Sequence, residues 1–240
     1  MPLTLATYNI HRCIGRDGKL RPERIAEVLK ELRADVVALQ EVESRDHGGL
    51  DLLAHFTAQT GLAAIAGHNI YRHGTRYGNA LLTRLPVVAM TRLDLSFGKR
   101  EPRGAIDVQL AWGTDTVHVV ATHLGLTAAE RRWQIDRLLA RFGTSASGTH
   151  VLLGDINEWW RWGRAHRWLE AYFPAAATAP ATFPASYPLL ALDQIRVRPG
   201  HLLSDVAVHA SPLARQASDH LPLTAQLHQL RAAESAAQFL

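Results

Sequence analysis

A polar residue stands repeatedly at the end of a short apolar run, and this feature most constrains how the 240-residue chain can fold. Four such runs lead directly into side chains able to bind a metal or a phosphate, and Leu192-Asp193 repeats the step in brief. The pattern is typical of strands that end together and deliver side chains to one rim. We therefore predict one pocket formed by Asn9, Glu41, His123, Asp155, Asn157, Asp193, Asp219 and His220.

Length and composition indicate one globular domain of enzyme size. Hydrophobic residues make up 47% of the chain, which supports a substantial core, and no linker divides it. We expect a single domain over residues 1–228, followed by a helical or frayed tail over residues 229–240. No apolar run approaches the roughly 18 residues that a membrane span requires.

The amino-terminal residues and the cysteine content predict a cytoplasmic protein. Residues 1–5 lack a charged leader, so a cleaved signal peptide is not expected. Cys13 is the sole cysteine, cannot form an internal disulfide and is interpreted as structural. The net charge of +4 and pI of about 9.6 suit any anionic substrate, from a nucleic acid to a phospholipid headgroup or a sugar phosphate.

Local patterns predict alternating strands and two well-defined helices. One helix should begin at Pro22, with apolar positions that recur at i, i+3, i+4 and i+7. The other should begin at a capping box of Thr127 and Glu130 and end at Gly143. Residues 158–190 show no convincing period after Trp168 and are expected to be irregular. Strands are expected over residues 3–10, 36–39, 106–112, 117–120, 151–153, 195–197, 206–208 and 223–227.

Together and in this order, the polar motifs resemble those of the endonuclease/exonuclease/phosphatase family, whose members include deoxyribonuclease I and exonuclease III. The resemblance covers residues 3–227, and the segments 77–84 and 102–105 resemble two further family segments. It implies an α/β fold, a four-layer sandwich in which two packed, mostly antiparallel (mixed) sheets are flanked by helices. The site would lie at one rim of this sandwich.

Hydrolysis of a phosphate ester needs a cation for the phosphoryl charge, an oriented water and a proton for the leaving oxygen. Oxygen ligands favour Mg²⁺ or Mn²⁺ as the cofactor. Glu41 is the first candidate metal ligand, with support from Asn9 and with Asp219 as a further ligand. An ordinary surface carboxylate at Glu41 and a turn-capping amide at Asn9 are the structural alternatives.

The remaining candidates divide between catalysis and substrate binding. Asp155 and Asn157 lie two residues apart, so an extended segment would point both the same way, unless they form an Asp-x-Asn turn. The resemblance implies that Asp155 prepares the nucleophile, Asn157 holds the phosphate, and His123 contacts or protonates the ester. It also implies that Asp193 pairs with His220 and fixes its tautomer, and that Asn79 and Arg103 bind substrate.

The sequence thus predicts a divalent-metal-dependent phosphoesterase, with a phosphodiester of nucleic-acid or phospholipid type favoured. A phosphomonoesterase acting on sugar or inositol phosphates is the enzyme alternative, and an inactive binding module on the same fold is the other. Residues 10–13 and 192–195 depart from exonuclease III, whereas residues 182–193 resemble compact bacterial members of unsettled substrate. Some of those are associated with phospholipid synthesis by gene context. No obligate protein partner is expected.

One segment rich in tryptophan and arginine follows the Asp155–Asn157 motif. It could stack bases, lie at a lipid interface as a peripheral membrane contact, or pack inward against the sheet, and the sequence does not choose among these. The segment contains Trp159, Trp160, Trp162 and Trp168, with Arg161, Arg164 and Arg167 between them.

Overall fold

The computed structural model describes residues 1–45, 51–72, 74–143, 148–160, 162–174 and 179–229. The described residues form eleven strands and five α-helices. The strands are β1 (Leu3–Asn9), β2 (Val36–Arg45), β3 (Ala63–Arg72), β4 (Thr75–Thr83), β5 (Val87–Asp94), β6 (Gly104–Trp112), β7 (Asp115–His123), β8 (Thr149–Asp155), β9 (Asp193–Arg198), β10 (Leu203–Val208) and β11 (Leu223–Leu227). The helices are α1 (Pro22–Leu32), α2 (Leu52–Thr60), α3 (Ala128–Gly143), α4 (Arg164–Tyr172) and α5 (Pro212–Ala217).

The strands form two mixed sheets. One has the order β10-β11-β1-β2-β4-β3, and the other has the order β5-β6-β7-β8-β9. Alternate residues of β1 show how the layers pack, because Leu3 and Leu5 join the core between the sheets while Ala6 and Tyr8 join the core beneath α1 and α2. A third core lies between the second sheet and α3 and α4. The predicted four-layer α/β sandwich is confirmed.

Parallel pairing at the centre of each sheet explains why the polar strand ends meet. β1 pairs with β2 in parallel, and β7 pairs with β8 in parallel, with His123 opposite Asp155. The carboxyl ends of parallel neighbours lie at the same edge of a sheet. β9 runs antiparallel to β8 and begins at Asp193, opposite Asp155. Asn9, at the end of β1, lies at this rim as well.

Both predicted helices are present. α1 begins at Pro22, and α3 follows the capping box, in which Thr127 Oγ1 accepts a hydrogen bond from the Glu130 amide and the Glu130 carboxylate accepts one from the Thr127 amide. The expectation that residues 158–190 are irregular is wrong for α4. There Ala165 and Leu169 bury one face, but the intervening Trp and Arg residues obscure the period.

The predicted tail from residue 230 onward and Arg161 of the tryptophan-rich segment lie outside the described residues. Cys13 is fully buried and unpaired, in agreement with a structural role. Among the helices of the described residues, none combines the length and apolarity needed to cross a membrane.

Candidate active site

A β-bulge in β2 directs Glu41 into a cleft at the rim. The pairing of β2 with β4 changes register between Leu39 and Val42, and both of these residues face the core beneath α1 and α2. The inserted residue breaks the strict alternation of the strand. Glu41 has a φ of 58°, in the left-handed region that non-glycine residues rarely adopt. This local distortion places its side chain in the wall of the cleft.

Asn9 connects two carboxylates of the cleft. Its Nδ2 atom donates to Oε1 of Glu41 at 3.2 Å and to Oδ2 of Asp155 at 3.1 Å. Its Oδ1 atom accepts from the backbone N–H of His11 at 3.1 Å. The neutral amide therefore holds two negative groups close together without cancelling their charge.

Glu41 differs from its acidic neighbours in having no cationic partner within the described part of the chain. Glu101 lies 2.9 Å from Nη1 of Arg103, and Glu43 lies 4.0 Å from Nη1 of Arg12. Glu41 accepts only from the neutral amide of Asn9 among the contacts described. A carboxylate in this state provides a binding position for a cation.

A close approach of β7 and β8 fixes Asp155. A Cβ atom on Gly154 would lie 2.0 Å from the carbonyl oxygen of Thr122, so only glycine permits this spacing immediately before the site. Oδ1 of Asp155 accepts from the backbone N–H of Asn157 at 2.9 Å, and Asn157 has a φ of 53°. The Asp-x-Asn turn is therefore present in place of the extended segment, and both side chains still line the cleft.

Asp193 and His220 form the predicted pair. Nδ1 of His220 lies 2.8 Å from Oδ2 of Asp193, and the same oxygen accepts from the Thr182 hydroxyl at 2.6 Å. Nε2 of His220 lies on the cleft side, 3.8 Å from Oδ2 of Asp155. The ring of Phe183 packs against the imidazole at a centroid distance of 4.8 Å. The carboxylate thus orients the ring and leaves one nitrogen for a ligand.

His123 is held from the other side by Arg103. Nη1 of Arg103 lies 3.2 Å from Nδ1 of His123. Because a guanidinium can only donate, Nδ1 of His123 accepts from Arg103. Nε2 faces Oδ2 of Asp155 at 3.5 Å and the side-chain nitrogen of Asn157 at 3.0 Å.

The two histidines of the cleft have pKa values displaced in opposite directions. Burial, assisted by the positive charges of Arg103 and His220, lowers the pKa of His123 to about 3, although Asp155 opposes this shift. Burial would also lower the pKa of His220, but the charge and hydrogen bond of Asp193, with Asp155 and Asp219, raise it to about 9. At neutral pH the cleft therefore offers one charged and one neutral imidazole.

The cleft has a volume of about 840 Å³ and is rich in negative charge. Two arginines line it, Arg12 and Arg103, against four carboxylates. The carboxylates are Glu41, Glu43, Glu101 and Asp155. Ligand atoms of Asp155, Asp193 and His220 also lie within 4.8 Å of one another, and Oδ1 of Asp193 is buried without a hydrogen-bond partner. An anionic substrate could approach only if a cation offset this negative charge.

Comparison with known proteins agrees with this arrangement. Residues 6–220 match the Endonuclease/Exonuclease/phosphatase family. The chain belongs to this family. Its members are generally hydrolases of phosphoester bonds and typically depend on a divalent metal.

Individual relatives extend the comparison. The chain is 32% identical to the uncharacterized protein YbhP of Escherichia coli (strain K12), over 92% of this chain and 94% of that protein. It resembles the endonuclease/exonuclease/phosphatase from Beutenbergia cavernae DSM 12333, with 24% identity, a TM-score of 0.75 and coverage of 95% and 72% of the two chains. The mannosyl-6-phosphatase Bt3783 of Bacteroides thetaiotaomicron shares the fold, with 16% identity, a TM-score of 0.70 and coverage of 94% and 99%.

Three predicted site residues of this family member do not line the cleft in the described structure: Asp193, which is fully buried and reaches the cleft only through His220, Asp219 and Asn79. Asp219 was expected to bind metal, but it is not among the described residues that line the cleft, and its Oδ1 lies 3.3 Å from the Ser218 hydroxyl and 3.7 Å from Nδ1 of His11. The chain bends at residues 219 and 220, and of these two side chains His220 lines the cleft.

Asn79, expected to bind substrate, is buried behind the cleft. Its side-chain amide donates to the carbonyl oxygen of Gly104 at 2.9 Å, which joins β4 of one sheet to β6 of the other. Arg103, which precedes Gly104, does line the cleft. The described contacts of Asn79 therefore place it behind Arg103, as a support for the segment that carries the guanidinium.

Several residues of the site were not identified from the sequence. Glu43 and Glu101 line the cleft, and Thr182 and Phe183 hold the Asp193–His220 pair. Glu43 could have been found, because it follows Glu41 by two residues. Thr182 and Phe183 lie in the segment assumed to be irregular, and only tertiary packing brings them to the pair.

The tryptophans of the tryptophan-rich segment differ in their exposure to solvent. Trp159, Trp160 and Trp162 are 51%, 50% and 72% exposed, whereas Trp168 packs against the core beneath α3 and α4. The inward-packing interpretation therefore applies to Trp168 and not to the other three.

Proposed function

We propose that this protein is a divalent-metal-dependent phosphoesterase, with a phosphodiester as the favoured substrate. One observation carries the proposal: an oriented His–Asp pair, a second buried histidine held by Arg103 and a carboxylate without a cationic partner surround one cleft. This combination supplies the groups that phosphoester hydrolysis requires.

Glu41 and Asn9 would hold the metal. Glu41 lacks a cationic partner, and the Asn9 amide, whose nitrogen faces Glu41 and whose oxygen accepts from the His11 amide, would have to turn over to present its oxygen to the same position. A Mg²⁺ or Mn²⁺ ion bound there would offset the phosphoryl charge and lower the pKa of a coordinated water. A metal among Asp155, Asp193 and His220 would instead compete with the 2.8 Å hydrogen bond between the last two, so we place the ion at Glu41.

The remaining cleft residues would orient the substrate and move protons. Asp155 is fixed by Asn9 and by the Asn157 backbone, and it is suited to orient or activate the attacking water. Nε2 of His220, oriented by Asp193, would contact the phosphoryl group or the leaving oxygen. His123 and the amide nitrogen of Asn157, which lies 3.0 Å from its Nε2, would contact the phosphoryl oxygens. Arg103 would hold the ring of His123 in place and add positive charge.

A diester is favoured because the cleft has apolar groups on its border for the parts of a substrate beyond the phosphate. These groups include Leu126, Phe183 and Leu192. Nucleic acids and phospholipid-type headgroups are the two substrate classes we propose, and we place the protein in a reducing, cytoplasmic compartment on the evidence of its single buried cysteine. The fold shared with a mannosyl-6-phosphatase keeps a monoester as the second candidate.

The test is a paired assay of bis(p-nitrophenyl) phosphate and p-nitrophenyl phosphate with Mg²⁺, Mn²⁺ or Ca²⁺, each with and without excess chelator. DNA, RNA, glycerophosphodiesters, and sugar and inositol phosphates follow as natural substrates. We expect turnover of the diester that chelation abolishes and that His220→Ala reduces. Full turnover in chelator would refute the metal role, and preference for the monoester would select the second candidate. Inactivity on every substrate would favour a binding module.

A further inference from the structure

A second cavity, here called the β9 pocket, lies against the edge strand β9 and has a volume of about 470 Å³. The segment that leads into β9 separates it from the catalytic cleft, because Leu192 lines the cleft whereas Ala191 and Gln194 line the pocket. Among the described residues, the two cavities share no lining residue. Its size lies within the range of small-molecule sites.

The polar side of the β9 pocket contains a guanidinium that no carboxylate neutralises within the described part of the chain. Nε of Arg196 donates to Oε1 of Gln194 at 2.6 Å, and Nη2 donates to Nδ1 of His166 at 2.8 Å. Nε2 of His166 in turn donates to the carbonyl oxygen of Glu158 at 3.0 Å. These partners are neutral acceptors, so they orient the guanidinium and leave its charge in place.

A partly buried cation whose direct partners are all neutral favours an anion beside it. Burial lowers the pKa of Arg196 to about 10, which leaves the group charged at neutral pH. Glu170, the carboxylate of the described lining, is exposed on α4; its charge opposes this shift in pKa, but it forms no direct ion pair with Arg196. The guanidinium is therefore positioned to bind a carboxylate or a phosphate.

The lining of the β9 pocket also includes large apolar side chains. Among these are Trp159, Trp162, Leu189 and Phe173, and the first three expose half or more of their surface. Large apolar side chains beside a cavity, with surface still in water, provide a contact for the apolar part of a ligand. A cationic group and apolar groups thus line a single cavity.

We propose that the β9 pocket binds an amphipathic anion, with a carboxylate or phosphate head at Arg196 and an alkyl or prenyl chain against Trp159, Trp162 and Leu189. Glu170 disfavours a head of high negative charge, so a monoanion is preferred. The proposal is independent of phosphoester hydrolysis, because it uses no residue of the cleft.

Calorimetric titration in excess chelator tests the proposal, with all ligands below their micelle concentrations. The ligands are decanoate, decyl phosphate, decanol and inorganic phosphate. We expect one site for the two amphipathic anions, binding about 10- to 100-fold weaker for decanol, as for the loss of one charge-assisted contact, and no binding of phosphate. His220→Ala should bind as the wild type does, so a failure of the proposed hydrolysis would leave this result unchanged.

Three variants and one control locate the site. Arg196→Gln should weaken decanoate binding about 10- to 100-fold without affecting decanol, whereas Arg167→Gln, an exposed arginine of α4, should change neither. Leu189→Asp should weaken all chain-bearing ligands, and Glu170→Gln should strengthen binding of the anions.

Equal affinity for decanoate and decanol in the wild type would overturn the proposal, and so would unchanged decanoate binding by Arg196→Gln. If Arg196→Gln fails to fold by circular dichroism, Leu189→Asp and Glu170→Gln decide. Unchanged affinities in both would then overturn it.

Discussion

Two aspartate–histidine pairs in this protein have similar hydrogen bonds and opposite surroundings. Asp193 and His220 are 2.8 Å apart at the rim, and Asp107 and His118 are 2.6 Å apart beneath α3. In the second pair the other carboxylate oxygen accepts from Nε of Arg141, and the ring of Phe142 packs 5.1 Å from the imidazole. In the first pair, by contrast, Nε2 of the histidine faces the cleft.

The difference teaches that the pair alone does not identify a site. His118 lies in the middle of β7, where helix α3 covers it, whereas His123 lies at the end of the same strand. An Asp–His pair can take part in catalysis only where a ligand can reach it and where no other side chain already neutralises its charge. Position along the strand decides both conditions here.

The two Asp–His pairs should differ most in how much their substitution lowers catalytic turnover. We expect Asp193→Asn and His220→Ala each to lower turnover by about 10²–10⁴-fold, the usual general acid–base contribution. The double variant should be little worse than either single one, because the two residues act as a unit. Asp155→Asn should be similarly sensitive if Asp155 prepares the water. Rates of the single and double variants measured under saturating metal provide the check.

Asp107→Asn is the matched control, and it should retain the turnover of each folded molecule. Multiplying losses in the Asp193/His220 double variant would mean that the residues serve different steps. A large loss of turnover in folded Asp107→Asn would remove the distinction between the two pairs.

Folding stability should depend more on the buried Asp107–His118 pair than on the Asp193–His220 pair. Asp107→Ala leaves His118 and Arg141 without their shared carboxylate, and breaking a buried pair of this kind costs about 3 kcal/mol of unfolding free energy. Asp193→Asn keeps an acceptor oxygen toward His220 and should cost less. Urea titrations of both variants, each compared with the wild type, measure the difference. An Asp107→Ala protein of unchanged stability would show that the buried pair is not structural.

The same contrast explains how much the sequence could predict. The convergence of Asn9, Glu41, Asp155 and His220 was predictable, because strand ends are visible as local changes from apolar to polar residues. The direction of the Asp219 side chain was not predictable, because it depends on how the bend at residues 219–220 packs at the rim. The β-bulge at Glu41 is a further tertiary feature, since its register shift exists only relative to β4.

The β9 pocket was also beyond local prediction. Gln194 and Arg196 alternate with apolar residues in β9, a pattern that ordinarily indicates a solvent-exposed face. His166 and Trp159 meet that face only after α4 and the preceding loop fold over it. Local sequence patterns therefore predicted eight of the eleven described strands, all but β3, β4 and β5, and much of the cleft, whereas contacts between distant segments form the second cavity.

Glu41→Gln should separate metal binding from stability. The substitution keeps the size and the acceptor toward Asn9 but removes the charge, so we expect the metal requirement to rise about 10- to 100-fold. Unfolding free energy should change by less than about 0.5 kcal/mol, because the side chain is only partly buried. Activity titrated with Mg²⁺ measures the effect, with Glu27→Gln, on the exposed face of α1, as the control. An unchanged Mg²⁺ requirement would exclude Glu41 as a ligand.

The smallest effect should be in the acid stability of the buried cluster. Burial, assisted by the charges of His118 and Arg198, lowers the pKa of His150 to about 4, and Nδ1 of His150 lies 2.8 Å from the Tyr172 hydroxyl. The unfolded chain binds a proton at this residue below about pH 6.5, whereas the folded chain does so only near pH 4. The folded state is therefore destabilised as the pH falls from about 6.5 toward 4.

His150→Phe keeps a ring against Tyr172 and removes this proton, so its urea midpoint should fall less steeply between pH 7 and pH 5 than that of the wild type. The exposed His228→Gln control should keep the wild-type slope. Equal slopes for His150→Phe and the wild type would show that acid sensitivity arises elsewhere, with His123, whose pKa is also lowered by burial, as the next residue to test.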